Sequence, residues 1–167
     1  MSFKLRAIES KDLKKVHKLF NNPFNMKFWF AEPYLPMEKL QAKFNHDLDD
    51  NSSRSFAITH DEKFAGIIEL VDIDLISQNA EIQIIIDSEF RGLKLAQKAF
   101  KACMEYGFNT LNLHKIYLNV DVENAPAVNV YKKMGFNIEG TLKDQYFADG
   151  DFRDCYFMGI LKNNFNK

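Results

Sequence analysis

Ala80-Glu81-Ile82-Gln83-Ile84-Ile85-Ile86-Asp87-Ser88-Glu89-Phe90-Arg91-Gly92-Leu93-Lys94-Leu95-Ala96 decides the fold. It reads as an apolar strand over 80–87, a basic glycine turn, and the start of an amphipathic helix near Leu93 that runs to Gly107. Ala96, Ala99, Phe100, Cys103 and Gly107 share one helical face, with Lys94, Lys98, Lys101 and Glu105 opposite. A strand that enters a helix through a tight turn makes an anion site. The first helical N–H groups have no internal partners, and the helix dipole adds partial positive charge there. Arg91 and Lys94 bring full charges to the same spot, so a phosphate-bearing cofactor is the expected occupant.

Working outward, residues 3–8 read as a strand and Ser10 as the N-cap of a helix with Leu13, Val16 or His17, and Phe20 on its face. Asn21-Asn22-Pro23 ends that helix. The aromatic stretch Met26 to Tyr34 is too broken by proline for a long element, and is expected to pack over a cleft or a neighbouring subunit. Pro36 opens a second helix over 36–48, with Leu40, Phe44 and Leu48 at helical spacing. Strands follow at 56–59 and 64–73, joined at Asp61-Glu62-Lys63. Lys115 to Asp121 is a strand with Ile116, Leu118 and Val120 on one face. Asn124 caps a short helix that carries Pro126 in its first turn and ends at Gly135. Strands at about 136–147 and 152–162 flank the hairpin turn Asp149-Gly150. The predicted order is β-α-α-β-β-β-α-β-α-β-β, a mixed α/β, α+β-like chain expected to form one domain over residues 1–167.

Composition narrows the function classes. With 46% apolar and 27% charged residues and a net charge of −1, nothing favours nucleic acid. No apolar run is long enough to span a bilayer and none reads as a signal peptide, so cytoplasm is expected, with no membrane partner. Cys103 and Cys155 have no metal or redox spacing and are expected to be reduced and buried. Charge is uneven: residues 31–90 hold thirteen Asp/Glu against four Lys/Arg, which leaves +8 elsewhere. One region is thereby suited to a cation and another to an anion, although an acidic surface also serves solubility alone.

Arg91-Gly92-Leu93-Lys94-Leu95-Ala96 after an apolar strand, then Val122-Glu123-Asn124 and Ala127-Val128-Asn129-Val130-Tyr131-Lys132-Lys133-Met134-Gly135-Phe136, resembles the GNAT superfamily of N-acetyltransferases. Met26, Trp29-Phe30, Glu32-Pro33-Tyr34, Glu69-Leu70-Val71, residues 80–86 and the tail from Phe136 to Phe157 are similar to the bacterial spermidine N-acetyltransferases. The resemblance implies a GNAT fold: a mixed, mostly antiparallel seven-stranded sheet with one splayed parallel strand pair, flanked by four helices. It implies acetyl-CoA as cosubstrate. The pyrophosphate would lie on the turn of Arg91, Gly92, Leu93, Lys94, Leu95 and Ala96, and the pantetheine arm along the strand edge at Ile84, Ile85 and Ile86. Asn124, Ala127, Tyr131 and Lys133 would face the cofactor from the far side. Lys94 stands where the family usually has a second glycine. Its side chain is expected to point outward from a backbone that stays helical, with binding preserved.

The resemblance makes Tyr131 the general acid that protonates the departing CoA thiolate. On the residues alone Tyr131 reads as a packing residue before a catalytic one, because Ala127, Tyr131 and Met134 share a face. Glu81 and Gln83 project from one face of their strand and Ile82, Ile84 and Ile86 from the other. A polar pair beside the cofactor turn is expected to bind the amine, with Glu81 only weakly indicated as a base; a half-solvated strand glutamate is the plain alternative. Met26, Glu32, Asp47 and Asp50 complete the expected substrate set, within a wider acidic group that includes Asp49, Glu69 and Asp72.

In the spermidine enzymes an acidic site between subunits binds polyamine and can take a divalent cation. Here Ala31 replaces a glutamate of that family's aromatic motif and Lys39 replaces another acid. That second site is expected to be weakened or absent. No metal site is expected, Asp72 being the one weak candidate. His17, His46, His60 and His114 have no ligand spacing. The expected activity is acetyl transfer to a primary amine of spermidine or spermine in a ternary complex, by a homo-oligomer that the resemblance makes a dodecamer. Acetylation of a protein N-terminus, of a ribosomal protein or of an amino sugar is the alternative within the fold, and a non-catalytic acyl-CoA-binding regulator the alternative outside it.

Overall fold

A computed structural model describes residues 2–165. Seven strands form one sheet in the order β1-β2-β3-β4-β5-β7-β6: β1 (Phe3–Ala7), β2 (Arg54–His60), β3 (Lys63–Asp74), β4 (Asn79–Ile86), β5 (Lys115–Asp121), β6 (Asn137–Ala148) and β7 (Asp151–Leu161). Every neighbouring pair is antiparallel except β4 with β5. The hairpin turns are those the residues demand. Asp61 and Glu62 between β2 and β3, and Asp149 and Gly150 between β6 and β7, all have positive φ.

The helices are α1 (Leu13–Phe20), α2 (Pro23–Phe28), α3 (Met37–Asp47), α4 (Leu95–Asn109), α5 (Ala125–Lys133) and α6 (Lys162–Phe165), two more than the four expected. One of the two is α2. Asn22 accepts a hydrogen bond from the Phe24 amide at 2.9 Å and Pro23 takes the first helical position. A proline that ends one helix thus opens the next. Ser10 does not cap α1; it begins a 3-10 turn whose cap is Glu9, and the Asp12 carboxylate accepts from the Glu9 amide at 3.0 Å.

Side-chain alternation divides the core between the two faces of the sheet. Ile68, Leu70, Ala80, Ile82, Ile116 and Leu118 pack with Leu95, Ala99, Phe100, Cys103, Met104 and Phe108 of α4 and with Val128 of α5. On the opposite face Ala57, Phe64, Ile67 and Ile85 pack under α1, α2 and α3 through Leu13, Val16, Leu19, Met26 and Leu40. Central β3 is covered on both faces, and from Phe64 to Leu70 it is buried without interruption. Its close approach to β4 depends on Gly66, where a Cβ would lie 2.2 Å from the Ile85 carbonyl oxygen. Both cysteines are buried and free, and burial raises both thiol pKa values.

The parallel pair makes the fold functional. β4 and β5 are in register only at Asn79, Ala80 and Glu81 opposite Lys115, Ile116 and Tyr117. Beyond Glu81 each strand follows its antiparallel neighbour, β4 staying with β3 to Ile86 and β5 with β7 to Asp121. A fork opens between them. The Asp87 amide bonds to Ala65 O, and by strand alternation the backbone groups of odd-numbered residues in β4 face β3. Those of Ile84 and Ile86 face the fork.

Lys94 corrects an expectation. Its backbone is left-handed, φ 57° and ψ 24°, and it forms the N-cap of α4, so the helix starts at Leu95 rather than near Leu93. A side chain in this region costs ~1–2 kcal/mol, partly offset by the larger unfolded-state entropy of the glycine that would relieve it. Lys94→Gly should therefore raise stability by about 0.5–1 kcal/mol and the melting temperature by about 1–3 °C, read by calorimetry. A lower melting temperature would mean that the lysine makes compensating contacts.

Candidate active site

The fork holds two adjoining cavities. The inner one, about 150 Å³, is lined from β4 by Glu81, Ile82, Gln83 and Ile84, from β5 by Leu118 through Asp121, from α5 by Asn124 and Tyr131, and from above by Phe28, Trp29 and Phe30. The outer one, about 510 Å³, runs along Ile84, Ile85 and Ile86 to Arg91 on one side, with Glu123, Asn124 and Pro126 on the other. Phe28, Trp29, Ile84 and Asn124 line both, so a long ligand in the outer cavity reaches the inner one.

Local sequence explains the walls. The Asn124 side chain accepts from the Ala127 amide at 3.3 Å, which starts α5 with Pro126 in its first turn. Gly135 closes that helix region at φ 95°. Tyr131 is thereby turned inward, its ring 5.3 Å from Phe100 and 6.2 Å from Phe136. Burial raises its phenol pKa to about 12. At neutral pH it is a protonated donor. Packing and an acid-bearing hydroxyl coexist in this one side chain.

Glu81 accepts a hydrogen bond from Asn119 Nδ2 at 3.1 Å. Trp29 donates its indole N–H to Ile84 O at 3.0 Å and so occupies one of the carbonyls that face the fork. Arg91 is turned away from the helix start: its guanidinium lies 4.8 Å from the Phe24 ring centroid and donates to Asn25 Oδ1 at 3.1 Å. No side chain caps the N-terminus of α4.

Several expected site residues do not line the two cavities of the fork. Met26 is a core residue at 3% exposure and lines neither cavity of the fork. Ile85 lines the outer cavity, but its side chain is buried in the core under α1–α3 and its backbone pairs with Ile67. Gly92, Leu93, Lys94, Leu95, Ala96, Ala127 and Lys133 line neither cavity of the fork; Leu95 is core. Glu32 is exposed and also lines neither. Asp47 and Asp50 line a third cavity of about 290 Å³ between α1, α3 and β2, together with Lys43, Ser55 and Glu69. The acidic segment 31–90 therefore serves two separate places. His46, Asp47 and Asp50 bring ligand atoms within 4.8 Å of one another, a grouping that does not include Asp72. Asp72 is exposed at a bulge, with φ 50°.

Asn119, Asp121 and Tyr146 escaped the sequence reading. The period-two pattern that puts Ile116, Leu118 and Val120 on one face of β5 puts Tyr117, Asn119 and Asp121 on the other, which is the face that carries Glu81 and Gln83. Asp121 is 2% exposed and Tyr146 9%; the phenol faces the carboxylate, and neither Asp121 Oδ2 nor the Tyr146 hydroxyl has a well-formed hydrogen bond.

A parallel pair that parts after three residues, with a deep polar cavity in the fork and a buried phenol inside it, is the architecture of an acyl-CoA-dependent transferase. The chain matches the acetyltransferase (GNAT) domain family over residues 3–137, and it belongs to that family. It is 42% identical to spermidine N(1)-acetyltransferase of Escherichia coli K12 over 98% of this chain and 88% of the relative. It is 40% identical to the Vibrio cholerae enzyme of the same name over 96% and 94%. The crystal structure of spermidine N-acetyltransferase from Vibrio cholerae in complex with CoA and spermine superposes with a TM-score of 0.96 at 38% identity, covering 99% of this chain and 98% of that one.

Glu69 gives a pH test of the third cavity. Burial raises its pKa, opposed by the 2.6 Å hydrogen bond from Ser55. Because the folded-state pKa lies above the unfolded value, the folded chain keeps a proton that the unfolded chain has lost. Its contribution is full below the ordinary glutamate pKa of ~4.3 and is lost as pH rises toward the folded value. Glu69→Gln mimics the protonated form. The variant should melt with the wild type near pH 4 and progressively above it toward pH 8; a gap of constant size across that range would contradict the burial argument.

Proposed function

We propose that this chain transfers the acetyl group of acetyl-CoA to a primary amine of a polyamine such as spermidine, by direct attack in a ternary complex. The observation that carries the reading is the joined pair of cavities, one lined by a strand edge that no neighbouring strand pairs and the other by Glu81 and Tyr131. In the outer cavity the amides and carbonyls of Ile84 and Ile86 take the amide-rich pantetheine arm in place of a missing strand. The uncapped N-terminus of α4, after the turn of Arg91 and Gly92, takes the pyrophosphate. Arg91 must leave Asn25 to contribute its charge.

The acetyl carbonyl then reaches the inner cavity, where Glu81 and Gln83 hold the acceptor. An alkyl ammonium with a pKa near that of lysine, ~10.4, sheds a proton before it attacks. The neutral nitrogen adds to the thioester carbonyl, the carbon–sulfur bond breaks, and Tyr131 supplies the proton that the thiolate takes up. Glu81 pairs with a cationic nitrogen of the same acceptor, held in orientation by Asn119. The similarity to two spermidine N(1)-acetyltransferases over nearly the whole chain favours a polyamine over a peptide or an amino sugar.

The assembly proposed is a homo-oligomer. Tyr34, Ile76, Phe147 and Phe152 are large apolar side chains left exposed on one chain, more than isolated surface residues require. No helix among the described residues is long and apolar enough to cross a membrane. A cytoplasmic location is part of the same proposal.

Acetyl-CoA turnover with spermidine, spermine, a basic N-terminal peptide and an amino sugar tests the acceptor class, and preference for peptide would overturn the polyamine reading. Tyr131→Phe should lower kcat by roughly 10²–10⁴, the range for a lost general acid, while the affinity for CoA changes less than about twofold. Unchanged turnover would remove the phenol from the mechanism. Because Trp29 is the only tryptophan in the chain, CoA binding should alter its emission as the arm competes for Ile84 O. Emission that stays constant through saturation would place the arm elsewhere.

A further inference from the structure

We propose that Asp121 and Tyr146 form the ammonium-binding end of the inner cavity, and that Asp121 together with Glu81 selects acceptors carrying two positive charges. The proposal rests on the polyamine reading above and names the groups that enforce it. Asp121 lines the inner cavity, and the Tyr146 hydroxyl behind it faces the Asp121 carboxylate, which adds to burial in raising the phenol pKa; Asp121 Oδ2 and the hydroxyl are buried and neither completes a well-formed hydrogen bond. Each such atom costs ~1–3 kcal/mol, more for a charged group, and buried atoms left in this state call for a ligand or a water to complete them. Asp121 Oδ1 is already satisfied by the Glu123 amide at 2.8 Å, which holds the carboxylate in place.

The surrounding charge calls for a cation. Arg153 Nη1 lies 3.6 Å from Asp121 Oδ2, but the same guanidinium contacts Glu123 and lies 4.0 Å from Asp149. Lys27 pairs with Asp149. With Glu81 included, four carboxylates face two cations. An alkyl ammonium offers three donors, enough to reach the carboxylate oxygen and the phenol oxygen together. An anion or a neutral sugar would leave the carboxylates in excess of the cations.

Geometry sets the second charge. Glu81 is anchored at Asn119, and Asp121 is the next residue of β5 on the same face, two residues or ~7 Å further along. A propyl or butyl spacer between two nitrogens spans such a gap. Phe30, whose ring packs at a tilt against Tyr146 with centroids 3.8 Å apart, supplies apolar wall for the methylenes between the charges.

Steady-state kinetics with the full chain, acetyl-CoA and either spermidine or n-butylamine tests this. Asp121→Asn should raise KM for spermidine by about tenfold or more, the effect of losing one charge-assisted hydrogen bond. KM for acetyl-CoA should stay within about twofold, and the ratio of kcat/KM for spermidine over butylamine should fall by about tenfold. Tyr146→Phe keeps the ring contact with Phe30 and removes only the hydroxyl, and should raise KM for spermidine by about threefold or more with the melting temperature preserved. This variant decides the matter if Asp121→Asn does not fold, and an unchanged KM there overturns the proposal. Wild-type turnover of spermidine with both KM and the ratio unmoved in Asp121→Asn overturns this inference alone. A wild-type chain that binds CoA but acetylates no polyamine overturns the activity reading, and this one with it.

Discussion

The structure depends on a hydrogen-bonding deficit. β4 is a central strand whose edge toward β5 is paired at only three residues before the two strands part. Buried backbone groups without partners are rare because each costs ~1–3 kcal/mol. A fork in the middle of a sheet therefore persists only where something else can bond to it. The bulky layers hold it open. β4 is fixed to β3 through the close approach at Gly66, and β5 is fixed to β7 over its full length, so the strands cannot close without breaking an antiparallel ladder. The Trp29 indole fills part of the deficit at Ile84 O. The remaining unpaired groups suit a ligand rich in amides.

The polar character of the inner cavity follows from what covers the sheet. α4 and α5 cover one face, so Ala80, Ile82, Ile116 and Leu118 are apolar there. On the other face α1, α2 and α3 reach Ile67 and Ile85. The portion that carries Glu81, Gln83, Asn119 and Asp121 lies outside that helical cover. Polar side chains on a sheet face are tolerable only where they meet one another, water or a charged ligand. The Asn119–Glu81 bond satisfies the first condition, and Asp121 Oδ2 and the Tyr146 hydroxyl, which face each other without a well-formed hydrogen bond, leave the third open.

What was legible in the sequence was local and periodic. All seven strands were readable from alternation and turn residues, as were α3, α4 and α5 from their spacing and caps. α2 was hidden because Pro23 serves two elements at once, and reading it only as a terminator erased the helix it opens. Met26 followed that error: in a loop it could face a cleft, whereas on α2 it points into the core. Lys94 fell outside local rules because a left-handed lysine is held by the turn around it. Charge density over 31–90 could not separate two cavities, since Asp47 and Glu69 come together through packing of α3 on β3 while Glu81 faces the fork. The partners on β5 were within reach, for the same alternation that assigned Ile116, Leu118 and Val120 to the core leaves Asn119 and Asp121 facing Glu81.

The raised pKa of Tyr131 constrains how it acts in the proposed reaction. A phenol with a pKa of about 12 is a weaker acid than an ordinary thiol, ~8.5. Burial thus opposes complete loss of the Tyr131 proton. Burial between Phe100 and Phe136 disfavours a free tyrosinate there. The amine nitrogen resolves the difficulty. Once bonded to the acetyl carbon it is a cationic acid, and it can return a proton to the phenol oxygen as the phenol releases its own to sulfur. Tyr131 then begins and ends each turnover protonated, and burial, which makes it a poor source of a net proton, makes it a dependable relay.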